Sequence, residues 1–144
     1  MRRTLVLATA IAATTTLAGC STSNDSDCES PSGAALEVIA ESVAGVNPDL
    51  QLTNAHSAVS PGDDSTWFIT ASIEGEGMGD GALGLWSTSA DPSQSDFSAA
   101  VESANGEASF YSDLPPGPTA DTDPLINDEG ARSAQSCTLG NEPA

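Results

Sequence analysis

The sequence contains no lysine. Its three basic residues are Arg2, Arg3 and Arg132, set against 21 aspartates and glutamates, for a formal net charge of −18 over 144 residues. That deficit argues against nucleic acid as a partner, because phosphates are contacted chiefly by Lys and Arg. It equally disfavours electrostatic docking on anionic lipid head groups. The partners compatible with such a field are cations, basic proteins and neutral ligands. The plainest role for the acidity is solubility, and a salty medium would screen the repulsion among the carboxylates.

Histidine is nearly absent too: His56 stands alone. One imidazole cannot build a zinc site. A catalytic triad would need a serine and a carboxylate beside it in space, and no Gly-x-Ser-x-Gly elbow occurs. Serines and aspartates are so common here that their presence decides nothing. A histidine on a strand surface is the ordinary reading of His56, and a small envelope hydrolase or accessory enzyme using it is an alternative function. Aromatic residues are scarce and central: Trp67, Phe68, Trp86, Phe97, Phe110 and Tyr111. The core is expected among them, and a chain of this length supports one modest domain.

Long hydrophobic runs are missing as well. The apolar stretch over residues 4–16 is shorter than the roughly 20 residues a membrane-spanning helix needs. It follows the positive pair Arg2-Arg3 and precedes Leu17-Ala18-Gly19-Cys20, the layout of a secretory signal. The quartet resembles the lipobox of bacterial lipoproteins. The resemblance implies cleavage after Gly19 and a diacylglycerol thioether on Cys20, hence a protein anchored to the cell membrane on its extracytoplasmic side. Two acyl chains hold a protein stably where one does not. The Arg pair matches the twin-arginine export signal poorly, lacking the Ser before it and the Phe-Leu-Lys after it. Residues 1–19 are therefore read as signal peptide and 20–27, wholly polar after Cys20, as a tether. Residues 28–138 form one domain and 139–144 a tail. Cleavage would leave 21 acidic residues against Arg132 alone, a net charge of −20.

With Cys20 lipidated, Cys28 and Cys137 remain, one at each end of the domain. An oxidising compartment makes a disulfide between them the natural expectation, with free thiols as the alternative.

Within the domain, Leu36, Ile39, Ala40 and Val43 form an apolar stripe at helical spacing, predicting a helix over 31–45 with Ser30 as cap and Pro31 at its first position. Strand signals follow at 50–60, 65–74 and 81–89, joined by turn-forming segments short enough for antiparallel hairpins. Asp91-Pro92-Ser93-Gln94 reads as a capped helix start. Phe97, Val101, Ala104, Ala108 and Tyr111 then share one helical face, despite Asn105-Gly106. A shorter helix ending at Gly106, with a strand over 108–112, is the alternative. A last helix is expected over 123–137. The fold class is α+β: an N-terminal helix, a three-stranded antiparallel meander and two C-terminal helices, with the helices on one sheet face.

The sites are weaker. Acidic runs at Asp63-Asp64, at 74–80 and at 121–129 could suit calcium, which takes six to eight oxygens. None has EF-hand spacing, because Leu125 and Ile126 stand where ligands should be, and no metal or other cofactor is assigned. The Gly-rich loop over 74–81 carries Glu76 and Asp80, which would repel phosphate, so it reads as a hairpin tip. With Met78 it is the first choice for a partner-contact loop. Trp67 and Trp86 are expected on adjacent strands. Core packing is the ordinary fate of such a pair; the alternative is that Trp86 faces away from the helices, with Phe68 beside it on the outer sheet face, as a candidate stacking surface for a protein or a sugar. The function expected is that of a non-catalytic envelope lipoprotein that binds another envelope protein or glycan. The alternatives are the His56 enzyme and an acidic, calcium-binding surface protein.

Overall fold

A computed structural model describes residues 28–76, 78 and 81–140. The lipobox, Cys20, the tether, Asp80 and most of the tail fall outside the described residues.

The first helix, α1 (Gly33–Val46), starts two residues later than the Ser30 cap predicts, because Ser32 is the residue whose side chain accepts the N–H of Ala35. Its buried stripe is Ala35, Ile39 and Val43. Leu36 is only half-buried and Ala40 is exposed, so the apolar face is wider than the core it covers.

Four strands form one antiparallel sheet in the order β1 (Gln51–Ser60), β2 (Asp63–Glu74), β3 (Ala82–Thr88), β4 (Val101–Ser103). The expected meander is present and a fourth strand extends it. Ile69 pairs with Trp86 and Phe68 with Ser87, so the two aromatic residues lie on opposite faces. Ile69, Ala71, Ile73 and Trp86 pack with the buried stripe of α1 and with Ala108 of α2 (Gly106–Tyr111). On the other face, Phe68 and Leu85 pack with Ala131 of α4 (Glu129–Thr138) and with Leu125 of the short α3 (Pro124–Asn127). Helices therefore cover both faces, correcting the one-sided expectation. The cause is in β2: Phe68 is apolar on the face opposite Trp67, Ile69 and Ile73, and a strand apolar on both sides must be covered on both.

The helix expected from residue 91 is not formed. Residues 91–97 make turns instead, with Asp91 accepting the N–H and hydroxyl of Ser93 and the amide of Gln94. Burial opposes ionisation of Asp91, but these hydrogen bonds outweigh it and its pKa is lowered. Residues 101–103 then pair with β3, and α2 begins at Gly106 with Asn105 as its cap, where a helix interruption was expected. Tertiary edge pairing overrides a helical spacing that the sequence genuinely carries. The last helix is likewise two, divided at Asp128, whose carboxylate accepts the N–H groups of Gly130 and Ala131 and the hydroxyl of Ser60.

Two glycines permit close approach. A Cβ at Gly84 would run into the Trp86 ring, which lies along β3 above it. A Cβ at Gly130 would strike the backbone of Val59, where α4 crosses β1. The sulfurs of Cys28 and Cys137 are 2.12 Å apart, within disulfide distance, tying the start of the domain to α4.

Candidate binding groove

Where α1 overhangs β1, the surplus apolar surface of the helix is left uncovered. Leu36, Ala40, Val43 and Ala44 of α1 face Leu50, Leu52 and Ala55 across a groove of about 520 Å³. That volume lies within the roughly 300–1,000 Å³ typical of small-ligand sites, which are mostly apolar with a few polar groups. The polar lining here is Glu37, Gln51, Thr53 and Asn54.

A bulge in β1 shapes this groove. Thr53 pairs with Ser72 and His56 with Thr70, so β1 spends one residue more than β2 between those pairs. Asn54 takes a left-handed conformation there, φ 51°, which Asn tolerates better than most residues. The extra residue reverses the facing of the strand. Leu52 lies with Ile73 on the α1 side, whereas Ala58 lies with Phe68 on the α4 side.

The two outer edges of the sheet are closed unequally. The edge of β4 is bridged by the segment at Pro116. On β1, Glu29 exchanges both backbone hydrogen bonds with Ser57, each 2.8 Å. Ser57 therefore turns its backbone groups outward, away from β2. Antiparallel strands alternate inward and outward residues, and β2 keeps that alternation through the bulge. Leu52, opposite Ile73, accordingly also points its N–H and C=O outward. Glu29 leads through Ser30 and Pro31 into α1, so this bridge does not extend to Leu52.

The chain matches no family model, no curated protein and no solved structure.

The site residues expected from sequence are distributed elsewhere. Trp86 is 0% and Phe68 1% exposed, so neither offers a stacking surface, and the outer face expected for the pair is covered by α4. Trp86 instead donates its indole N–H to Ser112 at 3.4 Å. Glu76 and Met78 line a separate acidic hollow of about 480 Å³ with Asp49, Gln51 and Glu74, and Asp80 falls outside the described residues.

His56 is half-buried beside the bulge, with Nδ1 3.2 Å from the Asn54 carbonyl oxygen. Among the described residues no serine or carboxylate bonds its ring. Among the described residues, too, no three His, Cys, Asp or Glu side chains are grouped to hold a metal ion. Asp63 is engaged by the Ser65 and Thr66 hydroxyls and the Ser65 N–H, which hold its pKa below 3.8. A third cleft of about 300 Å³ is lined chiefly by Ser65, Thr66, Ser87, Thr88, Ser89 and Thr119, together with Glu102. The hydroxyls of Thr88 and Thr119 are buried and meet no hydrogen-bond partner among the described residues.

Sequence reasoning missed the α1–β1 groove. The available signal was the width of the α1 stripe, in which Leu36 and Ala40 flank the Ile39 and Val43 positions.

Proposed function

We propose that the protein is an extracytoplasmic lipoprotein, anchored to the cell membrane through lipid on Cys20, that acts as a non-catalytic binding module for another component of the envelope. The α1–β1 groove is its ligand surface. The anchor rests on Leu17-Ala18-Gly19-Cys20 behind a short apolar segment. The Cys28–Cys137 pair suits an oxidising compartment. The observation that carries the binding role is the groove itself, apolar surface left open on a domain whose sheet is otherwise covered on both sides.

The test has two parts. Cys20→Ala should move the protein from the membrane pellet to the soluble fraction. A photo-crosslinking side chain at Ala44, inside the groove, should yield a discrete adduct in intact cells that the same group at Glu107 does not. Equal crosslinking at both positions would remove the groove as the ligand surface.

A second reading, glycan capture, is favoured by the hydroxyl-lined cleft. Serine and threonine hydroxyls both donate and accept, so a cleft lined by them can exchange hydrogen bonds with sugar hydroxyls. Calorimetric titration with soluble peptidoglycan fragments tests it, and Thr119→Val should abolish any heat observed.

A further inference from the structure

We propose that the occupant of the groove is an extended, basic, alternately apolar peptide segment that adds as a fifth strand to the open edge of β1. The inference rests on the groove being the ligand surface and identifies what fills it.

Three observations converge. The floor is apolar, through Leu36, Ala40, Val43 and Leu52. One wall is the β1 edge at Leu52, whose N–H and C=O point away from β2 and meet no backbone partner among the described residues; to either side the edge is engaged, the Leu50 N–H by the Asn47 carbonyl and Ser57 by Glu29. An incoming strand satisfies such groups with main-chain hydrogen bonds, and every second side chain then enters the groove. Glu37 lines the rim, within a chain of net charge −18. Lys or Arg on the outward positions of the added strand complements that rim and speeds encounter.

The chain's own polar segments do not suit the site. Residues 21–27 contain only Ser, Thr, Asn and Asp, and residues 141–144 are Asn-Glu-Pro-Ala, so neither supplies the alternating apolar residues that the floor requires.

The test uses the full chain in detergent micelles and a fluorescent heptapeptide alternating Lys and Val, read by anisotropy. Saturable binding is expected. N-methylation of alternate peptide amides should weaken it at least tenfold, because it removes donors to the strand edge without altering side chains. Replacing Lys by Glu in the peptide should weaken it comparably. Ala40→Gln fills the groove from an exposed helix position and should also weaken binding at least tenfold, with an unchanged thermal transition.

Equal affinity for the N-methylated peptide overturns strand addition while leaving the groove as a ligand surface. A dansyl fatty acid that binds in the groove, where the peptide does not, overturns the peptide and likewise leaves the groove standing. A dimer of the chain that Ala40→Gln dissociates makes a second copy the occupant and overturns the proposal. If neither probe binds and no dimer forms, strand addition and the groove reading fall together.

Discussion

The side-chain oxygen of Asn105 accepts the backbone N–H of Leu85 at 3.0 Å, and its amide nitrogen donates to the carbonyl of Leu83 at 2.9 Å. One carboxamide thus continues the β3 edge where β4 has ended. The same oxygen accepts the N–H of Ala108 at 2.8 Å and so caps α2. The joint between sheet and helix is a single buried side chain.

Asn105→Ala should therefore be costly. It removes a helix cap, worth about 1 kcal/mol, and leaves the buried Leu85 N–H without its partner, at about 1–3 kcal/mol. Urea unfolding should show a loss on the order of 2–4 kcal/mol. Asn105→Asp keeps the acceptor but loses the donor and buries a charge, so it should not restore stability. An alanine variant with the parent's midpoint would refute this account of the joint.

Gly130→Ala pits helix propensity against packing. Alanine is favoured over glycine within a helix by about 1 kcal/mol. At this position its Cβ would sit 2.7 Å from the carbonyl carbon of Val59 and 3.0 Å from the Cα of Ser60, both backbone atoms that cannot swing aside. Packing should win, and the thermal midpoint should fall. Gly33→Ala meets nothing within 4 Å and serves as the control. It should be neutral or raise the midpoint slightly. If both variants behave alike, the close crossing of α4 over β1 is wrong.

The Cys28–Cys137 link spans a sequence separation of 109. Chain-entropy reasoning assigns closure of a loop that long a stabilisation of about 4–5 kcal/mol. Cys28→Ser with Cys137→Ser should lower the urea midpoint by a corresponding amount, and reductant should reproduce the effect in the parent but not in the variant. Identical midpoints with and without reductant in the parent would show that the link adds no stability.

Asp63 supplies a pH test in the β1–β2 turn. Hydrogen bonds from Ser65 and Thr66 favour its ionised form and lower its pKa below 3.8. A depressed folded-state pKa means that the contribution is present above the ordinary carboxylate range and is lost as pH falls through the lowered value. Carbonyl NMR titration should place the Asp63 midpoint below those of free aspartates. Ser65→Ala combined with Thr66→Val should return it upward. A midpoint no lower than that of a free aspartate in the parent contradicts the turn geometry.

Much of the fold was legible in local pattern. The hairpin strands lie where alternation and turn residues placed them, and the cysteine pair lies within disulfide distance as expected. The stretch over 91–111 was not legible. Phe97, Val101, Ala104 and Ala108 keep helical spacing, yet the open edge of β3 draws residues 101–103 into the sheet and Asn105 into the ladder. Spacing reports what a segment favours alone, and the edge that outcompetes it is built from residues outside that segment, on β3.

The candidate site divides in the same way. Leu36, Ala40, Leu50 and Leu52 are plainly apolar in sequence, but nothing local separates those that enter the core from those left at its margin. That choice depends on the crossing of α1 over the sheet and on the bulge at Asn54, which reverses the facing of β1. The burial of Trp86 and Phe68 on opposite faces was decided by strand register, since a shift of one residue exchanges the two sides.

By itself, the sequence determined the quantities that need no partner residue: the extreme negative charge, the two cysteines framing the domain, the hairpin strands and the breadth of the α1 stripe. Tertiary structure alone decided which apolar residues stayed uncovered, that helices occupy both faces, and that the edge of β1 is closed at Ser57 but meets no backbone partner at Leu52 among the described residues. These are relations between distant segments, set by packing, register and the direction of backbone hydrogen bonds once the chain has closed on itself.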